Sequence, residues 1–147
     1  MLTLTLEELK QAFGTDSSAS GEAVSTGGDW LTIDEYTSDR IVARTEIADE
    51  HTRKGGTVAG TTIFRFFDAI GYLVLLAQSP KGTEGFTTDV SIHFLRPAPV
   101  GTFLIEGRPL RFGRRASVVA VTISSPEVAD GPIAAGVVSY VPIFPAE

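Results

Sequence analysis

The chain has 147 residues, 43% of them apolar and 20% charged, which suits one domain with a sizeable core, read as residues 1–147. The absence of cysteine excludes disulfides, thiolate metal sites and cysteine nucleophiles, and a net charge of −6 argues against nucleic acid as the main partner. No run of about 18 apolar residues is free of charge and no basic n-region of a signal peptide opens the chain, so a cytoplasmic protein that does not engage a membrane is expected.

Residues 1–28 read as an N-terminal helix and loop, and 29–147 as the core. Thr5-Leu6-Glu7-Glu8 has the form of a capping box, and Leu6, Leu9, Ala12 and Phe13 follow at helical spacing. Gly14 can end this helix. Residues 15–28 are rich in Ser, Thr and Gly, a loop composition. Trp30–Tyr36 and Arg40–Ile47 read as strands joined by a turn at Thr37-Ser38-Asp39.

A glycine-rich stretch follows, Arg53-Lys54-Gly55-Gly56-Thr57-Val58-Ala59-Gly60, opening onto a long apolar segment, Thr61–Gln78. Ile63, Phe64, Phe66, Phe67, Ile70, Leu73, Val74, Leu75 and Leu76 occupy nearly every face of that helix, which predicts burial all round. Pro80 and Gly82 stop it. Next, Phe86, Thr88, Val90, Ile92 and Phe94 alternate with Thr87, Asp89, Ser91 and His93, the period of a strand. After a loop at Arg96–Gly101, three more strands are predicted, over Thr102–Arg111, Arg115–Ser124 and Ile133–Ile143. One buried helix among strands needs a sheet curved around it, an α+β fold.

Charge is uneven. Residues 1–50 hold 3 basic and 11 acidic side chains, and residues 51–147 hold 9 and 7. Arg96, Arg108, Arg111, Arg114 and Arg115 fall close together, against the single acid Glu106. Such a patch suits a compact anion such as the phosphates of a nucleotide carrier. It equally suits a solvated strand edge protected by charge.

The helix that starts at the glycine turn combines two chemical parts. Its N-terminal amides form an anion site, and Asp68 sits in its apolar middle. An anion site and an inward acid are the two parts needed to hydrolyse a reactive ester. The reaction needs a base or nucleophile, which Asp68 can be, and a donor for the developing oxyanion, which the Gly60 amide can be. Whether Asp68 would attack directly or activate water is left open. The competing reading is an intrahelical ion pair between Asp68 and Arg65, three residues before it. Gly60 and Asp68 are eight residues apart, ~12 Å along one helix. If both act on one carbonyl, the acid must meet the amide of a second copy, across a two-fold axis.

These residues and their order resemble the hotdog fold, and within it the PaaI-like acyl-CoA thioesterases, relatives of 4-hydroxybenzoyl-CoA thioesterase. Gly56-Thr57-Val58-Ala59-Gly60-Thr61 matches the family's glycine turn, with Asp68 nine residues after the position of its His. Phe94-Leu95-Arg96-Pro97-Ala98 matches the end of the next strand, and Gly113-Arg114-Arg115 a later turn. Two positions depart: Ala59 stands where the family has His, and Arg53 where it has Asn. The resemblance implies an antiparallel sheet wrapped around one helix, a homodimer or homotetramer, and no cofactor beyond the CoA of the substrate. It implies Asp68 and Gly60 as catalytic residues with Thr87 assisting, and Arg53, Thr61, Arg96, Arg114 and Arg115 as candidates for binding the substrate. A hotdog module that binds an acyl or aromatic ligand without catalysis is the alternative, supported by the replaced His and Asn. His51 and His93 read as a solvated loop residue and a strand residue. Without metal-ligand spacing they predict no metal site.

Overall fold

The computed structural model describes residues 1–15, 31–48 and 55–146. The loop at 16–28, Trp30, His51 and Arg53 therefore lie outside the described residues. Within them the order is α1 (Leu6–Thr15), β1 (Thr32–Tyr36), β2 (Ile41–Ile47), α2 (Gly60–Ala77), β3 (Glu84–Phe94), β4 (Gly101–Phe112), β5 (Ser117–Ser124) and β6 (Ala134–Ile143). Each agrees with its expected position to within two residues. The six strands form one antiparallel sheet in the order β1-β2-β4-β5-β6-β3, and α2 packs across it, so the expected α+β layering is present.

The capping box forms as read. The Thr5 amide donates to Glu8 Oε2 at 2.9 Å and the Glu8 amide to Thr5 Oγ1 at 3.2 Å. Leu4, Leu9 and Phe13 bury their side chains, and the Thr3 amide donates to the Ala77 carbonyl at 2.8 Å. Thr3 Oγ1 adds a bond to the Ser79 carbonyl. The N-terminal segment thus closes the far end of α2, where orphan carbonyls would otherwise face apolar surroundings.

The core lies between α2 and the concave face of the sheet. Ile41, Ala43, Phe103, Ile105, Val119, Val121, Ile123 and Val138 alternate along their strands to face Phe67, Ile70, Leu73 and Val74 of the helix. Fully burying one such side chain contributes roughly 1.5–3 kcal/mol. By length and composition α2 could cross a membrane; here its apolar faces are taken up by the sheet.

The expectation of a helix buried on all sides holds only for its second half. Every residue of Ala69–Ala77 is buried. In the first half a stripe of Thr61, Phe64, Arg65 and Asp68 stays open to differing degrees, and Phe64 is 47% exposed. The stripe follows helical spacing, so it is one face.

Candidate active site

Two glycines shape the approach to α2. Gly55 and Gly56 take φ of +113° and +82°, the left-handed region that favours glycine. The Val58 amide then donates to the Ala98 carbonyl at 2.8 Å, tying the turn to the loop after β3. Ala59 caps the helix in an extended conformation, with φ −65° and ψ 143° and no side-chain cap bond. The Thr62 and Ile63 amides bond back to the Ala59 carbonyl. The amides of Gly60 and Thr61 have no partner among the described residues. They are the free donors that a helix N-terminus offers to negative charge. A groove of about 470 Å³ lies here, lined by Thr57, Gly60, Ile63, Phe94 and Arg96 among others.

Asp68 lies two turns further along α2 and is held from the sheet. Thr87 Oγ1 on β3 donates to its Oδ1 at 2.5 Å. The Tyr140 hydroxyl on β6 lies 3.2 Å from the same Oδ1 and donates to the Asp68 carbonyl at 2.6 Å. Oδ2 has no hydrogen-bond partner among the described residues. No ion pair joins Asp68 to Arg65 among those residues, so the competing reading fails: two hydroxyls, not a guanidinium, occupy the carboxylate.

Strand register explains why Thr87 and Tyr140 meet there. They are direct partners across the β3–β6 pair, and such partners share a face. A bulge lies between Thr87 and Asp89, with Thr88 the extra residue. The bulge reverses the parity of β3. Thr87 faces the helix before it, whereas Val90 and Ile92 pack on the core after it. The unbroken alternation read from the sequence would have put Thr87 on the opposite face from Val90. Its expected place near the acid is met because the strand is not regular.

Tyr140 is wholly buried and was not singled out from the sequence. Burial pushes its phenol far above the ordinary tyrosine range, and the Asp68 carboxylate pushes the same way. It stays protonated, and hence a donor, at any ordinary pH. A usable signal was Gly71, an isolated glycine inside an apolar helix, which marks a close approach. A Cβ at that position would lie 2.4 Å from the Tyr140 hydroxyl oxygen.

The remaining candidates separate. Thr61 is exposed on the open stripe of α2. Arg96 lines the groove by Gly60, but its Nη1 donates to the Pro132 carbonyl at 2.7 Å. Arg114 lies instead by Pro80, Phe112 and Phe144, on a cavity of about 740 Å³ beyond the C-terminal end of α2. The helix between them has 18 residues, roughly 27 Å, so Arg96 and Arg114 of one copy cannot grip the same phosphate. Arg114 and Arg115 are exposed on the β4–β5 turn with no ion pair among the described residues. The presumed arginine cluster is also partly neutralised. Arg108 pairs with Glu106 at 2.7 Å, and Glu106 with Arg40 at 2.9 Å. Partial burial works to raise the Glu106 carboxyl, but Arg108 and Arg40 hold it below its ordinary value. His93 is exposed on the outer parity of β3, away from Asp68.

Known proteins share this architecture. A Saccharolobus solfataricus protein named as an esterase is 33% identical over 96 residues, 65% of this chain and 66% of its own length. The chain thus spans just under two thirds of that relative. A Haemophilus influenzae thioesterase structure superposes with a TM-score of 0.78 at 22% identity, over 100% of this chain and 98% of that one. A Streptococcus mutans protein bound to acetyl-CoA superposes with a TM-score of 0.71 at 24% identity, over 80% and 91% of the two chains. These likenesses establish the hotdog fold. The sequence pattern of the thioesterase superfamily matches residues 55–131, from the glycine turn through β5, and with that the chain belongs to the thioesterase superfamily.

Proposed function

We propose that the protein hydrolyses an acyl-CoA thioester at a site composed from two copies of the chain. The observation that carries this reading is the asymmetry of Asp68: Oδ1 is engaged by two hydroxyls and Oδ2 has no partner among the described residues. A carboxylate held by one oxygen presents the other as a fixed acceptor, the requirement for a base that must find one water. Superfamily membership supports the reaction class, and a fold-mate bound to acetyl-CoA supports the substrate class.

In this mechanism Oδ2 takes a proton from water as the water oxygen attacks the thioester carbonyl. The carbonyl oxygen becomes an oxyanion and is received by the Gly60 and Thr61 amides at the mouth of α2. The tetrahedral intermediate collapses, the carbon–sulfur bond breaks, and the thiolate of CoA leaves. The proton held on Oδ2 then passes to that thiolate, restoring the carboxylate. Thr87 stays on Oδ1 throughout, so the carboxyl does not rotate. Asp68 is taken here as the base, with water as the nucleophile.

Gly60 and Asp68 of one helix, ~12 Å apart along its axis, cannot reach one carbonyl. Two copies packed with antiparallel helices bring each acid to the other's mouth. Arg114 and Arg115 lie past the C-terminal end of the helix that carries Asp68, where the phosphates of an extended carrier would emerge. Arg96 serves the structure through Pro132 and is left out of the phosphate site.

A hybrid dimer tests the composite site. One copy carries Asp68→Asn and the other Gly60→Pro. Proline is tolerated at the first helical position and lacks the amide hydrogen, the extended Ala59 suits a following proline, and the added Cβ meets only the exposed Phe94 side chain. A composite site leaves one intact centre per hybrid and about half of wild-type turnover on acyl-CoAs. A site within one chain leaves none. If the wild type turns over no thioester yet binds acyl ligands saturably, the non-catalytic module is the correct reading. Ala59, which supplies no side-chain cap where the family has His, is the observation that favours that alternative.

A further inference from the structure

Three side chains stand in one row across the sheet. Ser117 on β5 pairs with Tyr140 on β6, and Tyr140 pairs with Thr87 on β3. All three carry hydroxyls and face α2. Only two of them reach Asp68. The Ser117 hydroxyl is buried without a partner among the described residues, so the row acts on Asp68 through Tyr140 and Thr87.

We infer that Tyr140 is the positioning residue of the site: its hydroxyl holds the Asp68 side chain in one rotamer, with Oδ1 engaged and Oδ2 without a partner among the described residues. This rests on the reading of Asp68 as the base. Thr87 alone would not secure that geometry. It lies on the edge strand β3, which is paired on one side only within the chain. Tyr140 is wholly buried on an inner strand, its ring is fixed by packing against Tyr72 at 6.2 Å between centroids, and its hydroxyl enters the notch left by Gly71.

The phenol has a single hydrogen and two acceptors on the same residue, the main-chain carbonyl at 2.6 Å and Oδ1 at 3.2 Å. While the carboxylate is charged, both draw on that hydrogen. When Oδ2 takes up a proton the carboxyl loses its charge, and the hydrogen settles on the carbonyl. The buried donor is satisfied in both states, so the proton can come and go without stranding a polar group. A donor fixed to Oδ1 alone would resist every turnover by the strength of its charge-assisted bond.

The test is Tyr140→Phe, which keeps the ring and removes one oxygen. Three-bond couplings to the Asp68 side-chain carbon, measured by NMR, report its rotamer whether or not the protein turns over any thioester. The inference expects one rotamer in the wild type and averaged couplings in the variant. With acetyl-CoA as the probe, kcat falls about tenfold while KM stays within twofold. Unchanged couplings in a folded variant overturn the inference, even if activity drops. Averaged couplings in a protein inert toward all thioesters leave the positioning role standing and remove only the hydrolytic reading. Should Tyr140→Phe fold poorly, Gly71→Ser displaces the same hydroxyl from the helix side and must give the same averaging.

Discussion

The two ends of the eight-residue span from Gly60 to Asp68 are built in opposite ways. Around Asp68 everything is supplied by this one chain: a hydroxyl from β3, another from β6, and a glycine notch on the helix itself. Around Gly60 little is supplied by the described residues. Among them the Gly60 and Thr61 amides have no partner, Ala59 makes no side-chain cap bond, and Phe64 and Phe94 stand 47% and 55% exposed. Exposed aromatics beside unpaired amides mark a surface that something else completes. The comparison teaches that the acid is set by folding of the one chain, whereas the amides at the start of α2 are left open by the described residues. The long edge strand β3, with Phe86 at 53% and Phe94 exposed along it, lies open for the same reason.

Substitutions at the two ends should differ in kind. Asp68→Asn removes the base and should lower kcat by about 10²–10⁴. Its melting temperature should stay within a few degrees, because the amide still accepts from both hydroxyls. A collapse of stability instead would recast Asp68 as structural. Gly60→Pro strikes the bare end and should cost about 10²–10³ in kcat, the usual loss of one oxyanion donor. Steady-state assays on an acyl-CoA panel check both, and a Gly60→Pro enzyme with wild-type turnover would place the oxyanion elsewhere.

The furnished end should be the fragile one. Gly71→Ala puts a methyl against the Tyr140 hydroxyl and ring, and overpacking of this kind costs about 1–3 kcal/mol in chemical denaturation. Phe94 can swing aside, so Gly60→Ala, whose Cβ would lie 3.3 Å from that ring, should cost less. If the two alanines destabilise equally, the contrast between the ends is wrong. The smallest effect is expected at Ser117→Ala. Removing a buried hydroxyl without a partner should leave stability unchanged or raise it by up to about 1 kcal/mol, read as a shift in denaturation midpoint at constant slope.

Much of this was legible in the chain. The capping box, the two periodicities and the glycine turn are local patterns, and backbone geometry alone enforces them. They placed α2 and the strands, a carboxylate in the middle of an apolar helix drew attention to Asp68, and the family resemblance supplied its spacing from Ala59. What the patterns could not carry was parity and partnership. A regular alternation puts Thr87 and Val90 on opposite faces; the bulge at Thr88 exists only because β3 must pair with β6 while following the curve of the sheet. Tyr140 is 72 residues from Asp68 and looks like any other strand aromatic until register brings it under Gly71. The arginines clustered in sequence are parted in space, because β4 runs the length of the helix and carries Arg114 to one end while the loop after β3 leaves Arg96 at the other. Local chemistry thus determined the elements, and the packing of strand against strand decided which oxygen of Asp68 the two hydroxyls hold.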